Sequence, residues 1–290
     1  MSDLAQFVLS GLTTGAVYAL AALGFTLIYN ASGVINFAQG DFLMLSAMVA
    51  ATLVTRQVPY PVAIALGLLA TVVVGLMLYR FAIRPAGDAD VVTLIIITIG
   101  ASIFIQGVVQ VVLGKNQQVL APFSGDTPLN VLGARVLPQA MWVLGVGALM
   151  VAAVAAFFRY TLIGKATLAV AANKLAASAV GIPTRRVLQL SFRLSALLGS
   201  VAGVVAAPIT TTVYDIGLML GMKGFVAATL GGLGSGLGAV VGGLIVGVLE
   251  ALVAGYISSA YKDAVPFVMI IVILLVMPQG LFGRKSTERV

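Results

Sequence analysis

The sequence predicts an all-α, polytopic integral membrane protein with about eight or nine transmembrane or re-entrant helices. Of its 290 residues, 61% are hydrophobic and 9% are charged, whereas a soluble domain carries roughly 25% charged residues. Several apolar runs reach the roughly 20 residues of a spanning helix and far exceed the roughly 10 residues of a barrel strand. Because the bilayer core offers no water to the backbone, we expect helices, which pair their own polar groups.

Polar and charged interruptions divide the chain into nine predicted spans. In order, these are 7–29, 37–55, 60–80, 91–113, 137–158, 189–212, 216–233, 236–256 and 264–281. The segment 216–233 is short and broken, and it could either cross the membrane or re-enter. We expect one transmembrane domain over 1–290, and the largest interruption within it is the loop 159–188.

The distribution of Lys and Arg predicts the orientation of the chain. The loop 159–188 contains five basic residues and no acidic residue. If this loop is cytoplasmic, the inner face carries ten basic residues and the outer face four. The inner ten are Arg80, Arg84, Arg159, Lys165, Lys174, Arg185, Arg186, Arg284, Lys285 and Arg289. The N-terminus is therefore expected outside and the C-terminus inside, provided that 216–233 crosses, or nearly crosses, the membrane.

Composition excludes several classes of function. The chain has no Cys and no His, which removes thiol nucleophiles, imidazole bases and most zinc sites, so we expect no metal site. It also lacks a GxxxxGK[ST] phosphate loop, so we expect no bound cofactor and no ATP hydrolysis by this chain. The net charge of +7 does not indicate nucleic-acid binding, because positive-inside bias explains basic residues at span ends better.

Glycine at helical spacing predicts tight helix packing. The glycines concerned are Gly11 and Gly15, then Gly234, Gly238 and Gly242, and a further row that contains Gly243 and Gly247. Small residues let helix backbones approach closely in lipid, where apolar surface alone supplies no association force. We expect these ridges to pack within the bundle or against a second subunit, and a substrate gate built of glycine is the alternative.

Charged residues inside predicted spans are functional candidates, because burying a charge in a bilayer is costly. Asn36 is a predicted N-cap, and Asp41 lies near the positive end of the same helix. Capping would explain both residues. The alternative is a discontinuous helix whose polar side chains line a transport pathway.

Glu250 and Lys223 are the charged candidates late in the chain. Glu250 shares a helical face with Gly243 and Gly247, so we expect it to face another helix and to pair with a buried partner rather than with a substrate. The stem of Lys223 is expected to snorkel to the outer interface. Pairing of Lys223 with Glu250 or Asp215, or a place in the pathway, is the alternative.

The central loop predicts a docking helix over 164–180. Its apolar face consists of Leu168, Ala171, Ala172, Leu175 and Ala179, at the spacing of one helical surface. Gly181 suits the position after the helix end, and Pro183 prevents continuation. We expect this helix to dock a partner, since it has few bulky residues and no aromatic anchor. An interfacial helix on lipid headgroups is the alternative.

Three segments, 11–20, 34–42 and 221–235, together with Glu250, carry a resemblance to a known family. They resemble the LivH-type permease subunit of the bacterial branched-chain amino acid ABC importers, and the likeness runs nearly end to end. The segment 34–42 is similar to the family's NFAxGE element, with Gln39 and Asp41 where His and Glu are common. The resemblance supports five pathway candidates: Asn36, Gln39, Asp41, Lys223 and Glu250.

The resemblance also implies that the central loop is the coupling helix that contacts an ATPase. The residues assigned to this coupling are Gly164, Lys165, Ala166, Ala169, Ala172, Ala176, Ala177, Gly181 and Ile182. Many relatives have an additional Arg in this helix and an acidic residue around Leu175, whereas this chain has Ala, Leu and the nearby Lys174.

The implied assembly contains this subunit, a LivM-like second permease subunit, two ABC ATPase subunits and a periplasmic substrate-binding protein, in a bacterial inner membrane. ATP and Mg would then bind the ATPases. Two other transport functions remain open from the residues alone. The same architecture could carry urea or short amides, or the chain could be an ion-coupled secondary transporter that uses Asp41 and Glu250. A membrane enzyme is the least favoured class.

Overall fold

The computed structural model describes residues 2–87, 89–131 and 134–283, and it confirms the all-α class. The helices are α1 (Ser2–Ser32), α2 (Gln39–Thr55), α3 (Tyr60–Met77), α4 (Arg84–Ala86), α5 (Val91–Leu113), α6 (Pro138–Tyr160), α7 (Leu162–Ala172), α8 (Lys174–Ala179), α9 (Thr184–Ala206), α10 (Ile216–Gly231), α11 (Gly236–Tyr256) and α12 (Val265–Val276). A π-helical segment, Leu78–Ile83, joins α3 to α4, and a 3-10 helix, Ser259–Ala264, leads into α12. Between α5 and α6, β1 (Leu129–Val131) pairs with β2 (Ala134–Val136) in an antiparallel hairpin.

The apolar helices confirm a multi-pass membrane protein. In the described ranges, seven helical segments are long and apolar enough to cross a membrane. The helices α2 and α10 are apolar but shorter, at 17 and 16 residues. Each predicted span overlaps a helix, although the third continues through the π-helical segment to Ala86. The sixth, predicted over 189–212, is shifted, because α9 is Thr184–Ala206, and the ninth, predicted to 281, ends with α12 at Val276. Arg284, Lys285 and Arg289, which enter the charge count, lie outside the described residues.

Helix α1 forms the centre of the bundle. The most apolar stretch of α1 is 89% buried, and the helix packs against α6, α9, α10 and α11. Small and apolar residues surround it on all sides, which is typical of a helix with no lipid-facing surface. In contrast, α5, α6 and α12 expose most of their apolar side chains. These three helices therefore form an outer surface that lipid or another subunit can cover.

Helix α10 runs from one end of the bundle to the other. Just before α10, the backbones of Thr212 and Gln118 exchange two hydrogen bonds, and Gln118 lies in the loop after α5. Just after it, the carbonyl of Gly234 accepts a hydrogen bond from the amide of Asn30, at the opposite end of the bundle. Its 16 residues extend about 24 Å at about 1.5 Å per residue. The segment 216–233 therefore crosses the bundle rather than turning back.

The single docking helix predicted over 164–180 is wrong, because the chain breaks at Asn173. The backbone of Asn173 is extended, with φ of −159°, and its Oδ1 accepts the backbone N–H of Ala176 as the N-cap of α8. A short Asn side chain competes with helical hydrogen bonding in this way. The predicted stop is confirmed: α8 ends at Ala179, and Gly181 has a φ of +86°, in the left-handed region.

Candidate functional site

A buried ionic cluster joins α1, α10 and α11. The ammonium of Lys223 lies 2.7 Å from Oε1 of Glu250 and 2.6 Å from Oδ1 of Asp263. The hydroxyl of Tyr18 donates to the other carboxylate oxygen of Glu250 at 2.8 Å. Lys223 is 4% exposed and Glu250 is 7% exposed. Lys223 thus pairs with Glu250, as the alternative prediction has it, and its buried ammonium is held by this carboxylate and by that of Asp263 rather than lying in water as the snorkelling prediction required.

The cluster contains two residues that sequence reasoning missed. Asp263 lies in the 3-10 helix before α12, and its side chain is 44% exposed, so it joins an end loop to the buried pair. Nothing near Asp263 in the sequence points to a lysine 40 positions earlier. A signal did exist for Tyr18, because Gly11, Gly15 and Tyr18 share one helical face. With two carboxylates and one ammonium, the cluster has a net charge of −1 when all three are ionised.

Glycine allows α1 and α11 to approach until their backbones touch. A Cβ at Gly11 would lie 2.6 Å from Cα of Val248, and a Cβ at Gly15 would lie 2.9 Å from the carbonyl oxygen of Gly243. A Cβ at Gly247 would overlap with the backbone of Gly15. This close approach places Tyr18 beside Glu250.

The other glycine ridge packs α11 against α10. A Cβ at Gly238 would overlap with Gly231, and a Cβ at Gly242 would overlap with Ala227. Gly234 does not belong to this ridge as predicted, because it precedes α11 and has a φ of +95°. It forms part of the turn between α10 and α11, where only glycine adopts this backbone conformation without strain.

A second polar cluster surrounds the first turn of α2. Asp41 is fully buried, and its Oδ1 accepts from the amide of Gln106 at 2.9 Å. Its Oδ2 has no hydrogen-bond partner among the residues that the structure describes. Gln106 also donates to the hydroxyl of Ser102. Sequence reasoning missed Gln106 and Ser102, although Thr98, Ser102 and Gln106 form a polar stripe at intervals of one helical turn.

Gln39 and Asn36 complete the entry to α2. Gln39 is fully buried, its amide donates to the carbonyl of Ser195 at 3.2 Å, and its Oε1 accepts from the Ser195 hydroxyl. Asn36 is not the N-cap, because α2 begins at Gln39 with Ala38 in the capping position. Oδ1 of Asn36 instead accepts from the backbone N–H of Ala38 at 3.2 Å, which closes the turn that leads into α2.

The five predicted pathway residues are thus brought into two clusters rather than one. Asn36, Gln39 and Asp41 lie where α2 meets α5 and α9, and Lys223 and Glu250 lie where α10 meets α11. No ion pair links the clusters within the described ranges. All five side chains lie inside helix contacts in this conformation, so any passage of a substrate beside them requires the helices to separate.

The loop between α6 and α9 presents an apolar surface. Thr161 caps α7 by accepting from the backbone N–H of Gly164 at 2.9 Å, and Gly164 packs directly on the backbone of Phe157. The face predicted for docking is exposed over its whole length: Leu168, Ala171, Ala172, Leu175 and Ala179. Leu175 is the clearest case, with 82% of its surface exposed.

The other residues assigned to coupling differ in exposure. Those that are buried or half-buried are Gly164, Ala166, Ala169, Ala177 and Ile182, and those that are exposed are Lys165, Ala172, Ala176 and Gly181. The buried members join α7 and α8 to the bundle. Of the exposed members, Ala172 belongs to the apolar face that contains Leu168 and Leu175.

Seven helical segments of the described chain that are long and apolar enough to cross a membrane, packed around buried charged side chains, define a multi-pass membrane protein. The chain belongs to the family described as the branched-chain amino acid transport system permease component, whose match covers residues 7–274.

Curated relatives agree with this family over nearly their whole length. The chain is 36% identical to the high-affinity branched-chain amino acid transport system permease protein LivH of Escherichia coli (strain K12), over 98% of this chain and 97% of that protein. It is 31% identical to the corresponding permease protein BraD of Pseudomonas aeruginosa, with the same coverage. A structure of PsaBC from Streptococcus pneumoniae in complex with Fab is similar at 17% identity over 96% of this chain and 91% of that one, with a TM-score of 0.46.

Proposed function

We propose that this chain is the permease subunit of an ATP-binding cassette importer that moves branched-chain amino acids across the bacterial inner membrane. The observation that carries the proposal is the 36% identity to LivH of Escherichia coli over 98% of the chain. The fold supports it, because the bundle buries charged side chains among apolar helices, and such residues often mark transport pathways.

The exposed face of α7 and α8 is the proposed contact with an ATPase. Leu168, Ala172 and Leu175 expose apolar surface at one end of the bundle, and Lys165 lies beside them. An ATPase that docks there would bury this surface and transmit its closure to the bundle. The phosphate loop that ATP hydrolysis needs is absent from this sequence, so the energy would come from the ATPase subunits.

The orientation that follows has the α7–α8 loop in the cytoplasm and the N-terminus outside. The excess of Lys and Arg at the α7–α8 end supports it. The course of α10 supports it as well. Because α10 crosses the bundle, α11 and α12 run in the directions that the count of basic residues on each side assumes.

The remaining partners of the proposed importer would occupy the other surfaces. A second permease subunit would pack on the exposed outer helices, and Asn36, Gln39, Asp41, Lys223 and Glu250 would lie along or beside the route that the two subunits form. A periplasmic binding protein would deliver cargo at the end that carries the β1–β2 hairpin.

Affinity purification from native membranes tests the assembly. We expect the tagged chain to recover a second permease and two ATPases, and leucine delivered by the cognate binding protein to enter proteoliposomes only with ATP. Recovery of no ATPase, together with uptake driven by an ion gradient, would contradict the proposal. ATP-driven uptake of urea in place of leucine would support the importer assignment and show that the cargo is different.

A further inference from the structure

A cavity of 570 Å³ lies between α1, the π-helical segment, α5 and α9, at the end of the bundle that carries α7 and α8. This volume falls within the range of about 300–1,000 Å³ that is typical of ligand pockets. Basic, hydroxyl-bearing and apolar side chains line it, and its polar and apolar surfaces are about equal. We propose that the cavity binds an anionic phospholipid of the adjacent leaflet, with the phosphate at the mouth and the beginning of an acyl chain deeper inside. This proposal goes beyond the transport function and does not depend on the cargo.

Two arginines form the mouth of the cavity. Arg84 lies at the start of α4 and Arg185 in the first turn of α9, and both side chains are exposed and line the cavity. The hydroxyl of Tyr79 donates to the carbonyl of Arg185 at 3.0 Å, which holds the π-helical segment against α9. Guanidinium groups present paired donors that match a phosphate. Lys174 lines the same cavity, but the proposal rests on the arginines.

Part of the lining is apolar and extends to a depth that suits a lipid. Ile28, Ile83, Leu94 and Phe192 line it and are buried, and the hydroxyl groups of Ser32, Thr98 and Thr184 line it as well. From Arg185 to Phe192 the distance along α9 is about 10 Å, at about 1.5 Å per residue. A free phosphate or an acidic peptide would occupy the basic mouth and leave this apolar part of the lining without a partner. A phospholipid fills both parts, as expected for basic pockets between transmembrane helices.

One described acid, Asp90, lies beside the cavity without pairing with either arginine. Asp90 lies between the lining residues Ala89 and Val91, and its carboxylate accepts from the hydroxyl and the backbone N–H of Thr93. These hydrogen bonds hold the pKa of the Asp90 carboxyl below its ordinary value. Asp90 therefore carries a negative charge beside the mouth, but it forms no ion pair with Arg84 or Arg185 among the described residues, and the two guanidinium groups outnumber it as donors to an anion.

Native mass spectrometry of the full-length chain in detergent tests the site. Phosphatidylglycerol, phosphatidylcholine with the same acyl chains and sn-glycerol 3-phosphate are titrated separately. We expect preferential binding of phosphatidylglycerol, and weakening by roughly fivefold per arginine, or about 25-fold, in Arg84→Gln/Arg185→Gln. The control Arg159→Gln/Arg186→Gln removes two charges from the same loop region outside the cavity and should bind normally. Leu188→Trp fills the interior without changing charge and should also weaken binding.

Three outcomes would overturn the proposal. Equal binding of phosphatidylglycerol by the wild type and by Arg84→Gln/Arg185→Gln would remove the arginines from the site. Equally tight binding of sn-glycerol 3-phosphate would make the cavity an anion site that needs no acyl chain. Unchanged lipid binding with weaker ATPase recovery in the double variant would assign the arginines to a protein contact instead.

Discussion

Replacing Glu250 by Ala should destabilise the bundle strongly, because it leaves the ammonium of Lys223 buried with half of its partners. Breaking a buried pair by removing one member costs about 3–5 kcal/mol. Lys223 is 4% exposed, and the carboxylate that remains, Asp263, has a side chain that is 44% exposed. The hydroxyl of Tyr18 also loses its acceptor. Since Asp263 still offsets part of the charge, we expect a loss near the lower end, about 3 kcal/mol.

Two comparisons separate the buried pair from general damage. Asp263→Ala removes the more exposed carboxylate and should cost about 1 kcal/mol or less, like other exposed pairs. Lys223→Met/Glu250→Met removes both buried charges, and apolar replacement of a buried ion pair is often close to neutral. The double variant should therefore recover most of the stability that Glu250→Ala loses.

The assay is SDS-induced unfolding in mixed micelles, followed through the fluorescence of Trp142. The reasoning is refuted if the double variant loses at least as much free energy as the sum of Lys223→Met and Glu250→Met. It is equally refuted if Asp263→Ala costs as much as Glu250→Ala, because Asp263 would then be the principal partner of Lys223.

Three further predictions concern packing and the α7–α8 loop. Gly247→Leu should lower the free energy of unfolding by about 1–3 kcal/mol or prevent folding, since a Cβ at this position overlaps with α1. The control Gly145→Leu, on the open face of α6, should be tolerated. The temperature at which each variant aggregates on heating compares the two. Asn173→Ala should lower the stability of α8 by about 0.5–2 kcal/mol, because it removes the N-cap of that helix. Exchange of the backbone amide hydrogen of residue 176 should become faster, and exchange within α11 should not change. Ala172→Trp should abolish ATPase recovery while leaving membrane insertion intact, and ATP-driven uptake at the wild-type rate in that variant would contradict the coupling assignment.

Sequence reasoning was reliable where one local property determines the structure. Spans follow apolar length because the bilayer requires it, and the end of α8 follows from Gly181, which needs the left-handed conformation. The pairing of Glu250 was also predictable, because its face carries Gly247 and must meet a helix. The pairing of Lys223 with Asp263 was not, since it joins a helix to an end loop and depends on how α10, α11 and α12 are arranged in space.

The break at Asn173 could not be predicted from the apolar pattern. The apolar periodicity of 164–180 continues across Asn173, and such a pattern does not detect a single residue with extended backbone. The cap at Asn173 competes with helical hydrogen bonding over one turn only, and its outcome depends on where α8 finds a buried contact. Ala177 supplies that contact, since it is the buried member of α8.

The two-helix loop changes how a docked ATPase would act on the bundle. Helix α7 packs on α6 through Gly164, and through the buried Val170 it also shares a cluster with Ala177 of α8 and Val187 of α9. Two turns further along α9, Ser195 holds Gln39 at the start of α2. A displacement of either α7 or α8 by a partner would therefore reach α9 and be carried by it toward the Asp41 cluster. A bulky residue at Val170 or Ala177 should disturb the surroundings of Gln39.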